Sequence, residues 1–379
     1  MSGDIHQEQE RIRQPSGAND ITTQLAASWY VAMRSDALKD KPVAIKLFGQ
    51  PLVAWRNGAG QPVIMERYCS HLGASLAKGR VVEGCIQCPF HHWRYDSTGA
   101  CSYVPGHSTA VPRLEPIPPT ARQSVYATAE RYGFVWVWYG TQAPLFPLPE
   151  MPEAESPRNH LCLRFAYDTR TSVLRIVENF YDAQHAAPVH QLPISAFELK
   201  LLDESSPPPG QEVLAREGAW FGAGIEFQVE RYFGPVGIVS RALGLSMSRM
   251  QLHFDGYPGG CLMTVSLDGD MKYRLLQCVT PVDKDETVMH MFLAIKKGEG
   301  VVGSAANFIL FGLQTWAAAG YDVAIWNSMK SDGGGAFCKY DQLVLKYRAF
   351  YRRWVNKVAL DHPGRMRDSR ADSRTGTHG

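Results

Sequence analysis

The sequence predicts an α+β chain in two parts: an all-β N-terminal domain, then a larger α+β domain with an antiparallel sheet. Three observations predict it. Short strand-like runs bounded by Gly, Pro, Asn and Asp fill the first third of the 379 residues. A proline-rich stretch follows. Beyond it, strands come first and helices are grouped late, which argues against alternating βαβ units.

Taken in order, residues 1–24 are polar, mixed in charge and without an apolar core, so they read as a flexible arm and not a signal peptide. Val43–Phe48, Leu52–Trp55, Val63–Glu66 and Tyr132–Tyr139 are the strand candidates of an all-β domain over 25–143. Five prolines between Pro144 and Pro157 mark a linker, 144–160. In the second domain, 161–360, Thr171–Ala186 reads as a helix. Trp220–Val229, Cys261–Leu267, Lys272–Thr280 and Val288–Ile295 read as strands, and Asn307–Met329 and Asp341–Val358 as helices. Residues 361–379 read as a disordered tail. Phe308–Trp326 is apolar enough to suggest a membrane span, but Gln314, Asp322 and two glycines interrupt it, so a buried core helix is expected.

Composition narrows the function. Lys plus Arg is 39 against 37 acidic residues, 45% of the chain is hydrophobic and 20% charged. A net charge of +2 gives no reason to expect nucleic acid or an anionic membrane as partner. Eight cysteines are too sparse for a disulfide scaffold, and with no targeting segment a cytoplasmic location is expected.

Two residue patterns carry chemistry. Cys69-Ser70-His71 is followed after sixteen residues by Cys88-Pro89-Phe90-His91. Two thiolates and two imidazoles can hold zinc, or a [2Fe-2S] cluster with cysteines on one iron and histidines on the other. Zinc fingers usually pair Cys with Cys and His with His; here each pair is mixed, which favours the Rieske arrangement. His92 is off the spacing, and Cys85, Cys101, Cys162, Cys261, Cys278 and Cys338 read as small buried hydrophobes.

The second pattern is Glu178-Asn179-Phe180-Tyr181-Asp182-Ala183-Gln184-His185-Ala186-Ala187-Pro188-Val189-His190. On a helix Glu178, Asp182 and His185 share a face, and Pro188 then bends the chain so that His190 can return towards His185. Two histidines supply two ligands of a 2-His-1-carboxylate iron site, which keeps open positions for dioxygen. Asp322, an acid inside an apolar helix, is the best third ligand, since a metal would compensate its burial. Asp332 and Asp341 are weaker candidates. Asp182 could fix a ligand imidazole. Gly298-Glu299-Gly300-Val301-Val302-Gly303 matches a dinucleotide fingerprint, but no second strand completes a βαβ unit, so it reads as a strand-to-helix turn.

C-x-H-x16-C-x-x-H followed by N-x-x-D-x-x-H-x4-H resembles the oxygenase component of Rieske non-haem iron oxygenases, over about Trp29–Trp354. Several phrases are similar to arylamine N-oxygenating members, among them Leu25–Arg34, Ile86–Tyr95, Arg175–His185, Gly222–Ile225 and His253–Gly260. The resemblance implies an N-terminal Rieske [2Fe-2S] domain and a helix-grip-like catalytic domain. It implies that Cys69, His71, Cys88 and His91 bind the cluster and that His185, His190 and Asp322 bind mononuclear iron. Asp182 would be the inter-subunit electron-transfer bridge of a homotrimer, with Asn179 near the iron. Electrons would come from NAD(P)H through a separate flavin reductase, with or without a ferredoxin. The substrate would be a small aromatic amine, oxidised with dioxygen through hydroxylamine and nitroso stages to a nitro compound in antibiotic biosynthesis. A C-hydroxylase or O-demethylase of an aromatic or polycyclic substrate is the alternative. Phe180, Phe311, Leu313 and Trp326 are possible apolar pocket residues.

Overall fold

The computed structural model describes residues 24–106, 116–229, 248–330 and 335–358. The expected N-terminal arm (but for Gln24), the 361–379 tail and Asp332 lie outside these residues. The chain divides into two compact units. The first is Ala32–Ala143 with Pro281–Lys284; the second holds residues up to Val31, Pro144–Thr280 and Asp285–Asn356. The first unit therefore starts at Ala32, seven residues after the expected 25.

The first unit is all-β. Strands β1 (Ser28–Arg34, in this unit from Ala32 on), β2 (Val43–Leu47), β3 (Gln50–Arg56), β4 (Pro62–Glu66), β5 (Arg80–Val82), β6 (Cys85–Gln87), β7 (Arg94–Tyr95), β8 (Cys101–Tyr103), β9 (Val125–Tyr126), β10 (Thr128–Arg131) and β11 (Phe134–Tyr139) follow one another. They form sheets ordered β2-β3-β4-β9, β5-β6-β7-β8 and β1-β11-β10. Every residue of β11, Phe-Val-Trp-Val-Trp-Tyr, is buried, as an uninterrupted apolar run requires. Phe48 and Gly49 both have positive φ in the β2–β3 turn, the left-handed geometry that matches hairpin twist. One core cluster draws Val53, Trp55, Val63 and Met65 from the first sheet and Ile86, Tyr95 and Cys101 from the second, and it encloses Cys69 and Cys88.

The second unit is one seven-stranded antiparallel sheet, ordered β12-β18-β17-β16-β15-β14-β13. The strands are β12 (His160–Thr169), β13 (Ile194–Leu201), β14 (Phe221–Val229), β15 (Arg249–Tyr257), β16 (Gly260–Leu267), β17 (Asp270–Asp283) and β18 (Glu286–Lys296). Of these, β12, β13 and β15 have no counterpart among the sequence-based strands; their alternation is blurred by polar residues on half-buried positions. Strands β12 and β13 are the two edges of the sheet, so the chain between them must cross from one edge to the other. That crossing carries residues 170–193.

Its helix is shorter than expected. Helix α1 is Val173–Asn179 and ends there, where the sequence suggests continuation to Ala186. Tyr181 is fully buried, stacked on Tyr347 with ring centroids 4.6 Å apart and set against Phe221 and Phe254. Gly256 admits it: a Cβ there would lie 2.0 Å from the Tyr181 hydroxyl. The chain tightens to follow, with the Tyr181 and Asp182 N–H groups donating to the carbonyls of Glu178 and Asn179. A separate 3-10 turn, Gln184–Ala186, comes next. Glu178, Asp182 and His185 therefore do not share a helical face.

Among the described residues the remaining α-helices are α2 (Glu212–Arg216), α3 (Gly300–Asn307), α4 (Gln314–Trp326) and α5 (Gln342–Val355), with one π-helical segment, Phe308–Leu313, between α3 and α4. Gly300–Trp326 is the one helical run among the described residues long and apolar enough to cross a membrane. The expected burial is not found: only 11% of its apolar window is buried, with Val301, Val302, Ile309, Leu313 and Trp316 exposed. Composition reported the apolar residues but not which neighbours they meet. The glycine pattern before α3 is a packing feature, since a Cβ on Gly298 would lie 2.5 Å from the Gly303 backbone and Gly300 has a φ of +63°. The strand before it, β18, is antiparallel to β12. Cys338 is exposed, against the expected burial, because it caps the turn that starts α5.

Candidate metal centres

In the first unit, two loops approach one another. Cys69 and His71 lie between β4 and β5, and Cys88 and His91 between β6 and β7. Gly79 lets the β5 end approach β6: a Cβ there would be 2.0 Å from the Gln87 carbonyl oxygen. The two thiols are buried, at 4% and 1% exposure, while His71 is exposed and His91 half-buried. The imidazole rings meet edge-on with centroids 4.6 Å apart. Trp93 stacks on His71 at 4.3 Å, and Phe90 lies 3.9 Å from His91. Burial pushes the Cys88 thiol up, and the facing Cys69 adds to it, while the N–H groups of Phe90 and His91 pull the other way. Tyr95 places its hydroxyl 3.1 Å from Cys69 Sγ and 2.9 Å from Ser70 Oγ.

Two buried thiols behind two outer imidazoles fit the asymmetric donor set of a Rieske cluster. Hydrogen bonds to sulfur tune the potential of such a cluster, and the Tyr95 hydroxyl stands at that distance from Cys69 Sγ, a contact that spacing could not find. His92 is exposed with a φ of +60°, a turn residue.

In the second unit, His185 stands in the 3-10 turn, His190 follows Pro188, and Asp322 projects from α4. A ligand atom from each lies within 4.8 Å of the other two. His190 Nε2 is 3.4 Å and His185 Nε2 3.9 Å from Asp322 Oδ1. Ligand atoms at right angles around a metal with bonds near 2.1 Å are about 3 Å apart, so small movements close the set. Asn179 Nδ2 lies 3.5 Å from His185 Nε2. Asp182 Oδ2 is 3.4 Å from His185 Nδ1, an ion-pair distance without hydrogen-bond alignment, and its Oδ1 accepts the Gln184 N–H at 2.8 Å.

Burial and mutual charge set the protonation of these side chains. Burial raises the Asp322 carboxyl to about 6; His185 opposes the rise and Asp182 adds to it. Burial, helped by His185, lowers His190 to about 4. At His185 burial also pulls down, but the facing Asp182 and Asp322 outweigh it and its pKa is raised. Asp182 is pushed up by burial, and its contacts with His185 and the Gln184 N–H leave it below its ordinary value. The Nδ1 atoms of both histidines are buried without a hydrogen-bond partner. Two nitrogens and one carboxylate are the donor set of a non-haem ferrous site.

Other sequence candidates fall elsewhere. Asp341 bonds the Cys338 N–H at 2.7 Å as a helix cap. Trp326 is buried, Phe311 packs 5.8 Å from Tyr273, Phe180 is half-buried, and Leu313 is 49% exposed and so faces away from any interior pocket. Glu178 is taken up by Arg175 and Arg348, at 2.5 and 2.6 Å.

Family models match both parts of the chain. The family model for the Rieske [2Fe-2S] domain matches residues 28–118. The model for the 3-ketosteroid 9alpha-hydroxylase C-terminal domain matches 135–355. The chain is 65% identical over 360 residues to aminopyrrolnitrin oxygenase PrnD of Pseudomonas fluorescens, covering 94% of this chain and 99% of that protein. It is 24% identical to the oxygenase component of a 3-ketosteroid-9-alpha-monooxygenase of Rhodococcus rhodochrous, over 90% and 85% of the two chains. The fold matches dicamba monooxygenase bound to dicamba with a TM-score of 0.66 at 16% identity, over 87% of this chain and 97% of that one. With a matching domain model over each unit and a relative of that identity along nearly its whole length, the chain belongs to the Rieske oxygenases, oxidoreductases whose parts imply a [2Fe-2S] cluster and a non-haem iron.

Proposed function

We propose that this Rieske oxygenase N-oxidises a small aromatic amine to the nitro compound, with aminopyrrolnitrin or a close analogue as substrate and antibiotic biosynthesis as context. The observation that supports the oxygenase chemistry is the meeting of His185, His190 and Asp322. The choice of nitrogen over carbon rests on the 65% identity to aminopyrrolnitrin oxygenase. Cys69, His71, Cys88 and His91 hold the cluster, and His185, His190 and Asp322 the mononuclear iron. When bound, the cluster supplies single electrons and the iron activates dioxygen at open positions. Asp182 orients His185 and serves as the electron-transfer bridge between subunits of a homotrimer; Asn179 borders the iron position. A separate flavin reductase supplies electrons from NAD(P)H. Six further cysteines without disulfides suit the reducing cytoplasm.

The test is incubation of the purified protein with a reductase, NAD(P)H, dioxygen and an arylamine, read by mass spectrometry. A nitroarene is expected. A ring-hydroxylated or O-demethylated product from matched substrates, with no N-oxidation, would replace this reading with the C-hydroxylase or O-demethylase alternative.

A further inference from the structure

The helix that carries Asp322 has little hydrophobic hold on the protein. Within α3, the π segment and α4, the buried residues are Gly312, Thr315, Ala319 and Trp326 alone among those described. With few fully buried residues, the position of such an element depends more on its polar bonds, and a shift of its backbone moves the Asp322 carboxylate with it.

Three such bonds come from the β12–β18 ribbon. Asn307 Nδ2 donates to the Lys296 carbonyl at 2.9 Å, at the end of β18. The Tyr167 hydroxyl on β12 donates to the Trp316 carbonyl at 2.6 Å. The Arg170 N–H, just past β12, donates to Asn327 Oδ1 at 2.7 Å. The last two straddle Asp322, one about a turn and a half before it and one about a turn and a half after. A helical carbonyl has a second lone pair, so Trp316 can accept the Tyr167 proton without losing its place in the helix. The Arg170 N–H lies beyond the strand ladder and gains its acceptor from Asn327, which sits at the helix end.

We propose that Tyr167 and Asn327 are positioning residues that clamp α4 to β12 and so set Asp322 opposite His185 and His190. The inference rests on the ligand reading given above. Neither residue lies in the histidine segment, and neither touches the three ligands in the contacts described.

The experiment uses the full-length protein loaded with ferrous iron. Retention against a chelator and the electron spin resonance of the nitric oxide adduct are measured for Tyr167→Phe, Asn327→Leu, Asn327→Asp and Asp322→Ala. Tyr167→Phe and Asn327→Leu are expected to weaken iron retention about tenfold, the lower end of the range for groups bonded directly to a metal ligand. They should also broaden the nitrosyl signal while the Rieske spectrum stays intact. Asn327→Asp keeps an acceptor oxygen and should restore retention. Native retention in both Tyr167→Phe and Asn327→Leu, with iron lost in Asp322→Ala, overturns the clamp and leaves the ligand reading standing. Iron retained in Asp322→Ala overturns the ligand reading and the clamp with it. If Tyr167→Phe fails to fold, the Asn327 pair alone decides.

Discussion

His290 lies half-buried on β18, and its partial removal from water lowers its pKa to about 4. Unfolded, the ring regains a pKa near 6.5, so between those values the unfolded chain holds a proton that the folded chain does not. Stability from this residue is complete above about pH 6.5 and is lost as pH falls towards 4. Between pH 7 and pH 5 the loss is about 2 kcal/mol. Urea midpoints at both pH values should show it, and His290→Asn should flatten the difference; an equal drop in the variant would assign the effect elsewhere. At the same scale the sequence picked Asp322 on the expectation of a buried helix; the helix is largely exposed, and the carboxylate nonetheless meets His185 and His190. Tyr95 was not readable, since nothing in its neighbours announces a hydroxyl 3.1 Å from a cysteine twenty-six positions away.

Helix α1 shows what periodicity omits. The run from Thr171 to Ala186 has helical spacing, yet the chain leaves the helix at Asn179 so that Tyr181 can stack on Tyr347 of α5. The two helices are also joined by charge. Glu178 bonds Arg175 at 2.5 Å and Arg348 at 2.6 and 3.1 Å, and all three side chains are about nine-tenths buried. Glu178→Ala would leave two buried guanidinium groups without their shared anion. A loss of about 3–5 kcal/mol in denaturant unfolding is expected, the usual cost of breaking a buried pair from one side. A loss under about 1 kcal/mol would mean that the network behaves like a solvated surface pair. The exposed α3–α4 run makes the complementary point, since an apolar composition does not say what covers it.

For the whole molecule, the sheet order explains why the second site can exist. Because β12 and β13 are opposite edges, the segment with His185 and His190 crosses between them, and the chain after β18 supplies Asp322. The proposed electron path through Asp182 gives a prediction at this scale. Asp182→Ala should keep both metals and the Rieske spectrum but stop reoxidation of the reduced cluster by dioxygen in a single turnover. Reoxidation at the native rate would count against the bridge.

The sequence by itself determined the residue types that can bind metal, their two groupings, the division into β-rich and mixed parts, and the resemblance to Rieske oxygenases. These are local matters: a Cys-x-His loop or a proline after a histidine acts through neighbours in the chain. Only the tertiary structure decided where α1 stops, that the Asp322 helix is exposed, that Glu178 belongs to an ion network, that Tyr95 stands beside Cys69, and that Tyr167 and Asn327 tie α4 to the β12 strand and its end. Each of those depends on a contact between residues far apart in sequence, and such contacts exist only once the sheet has set its order and register.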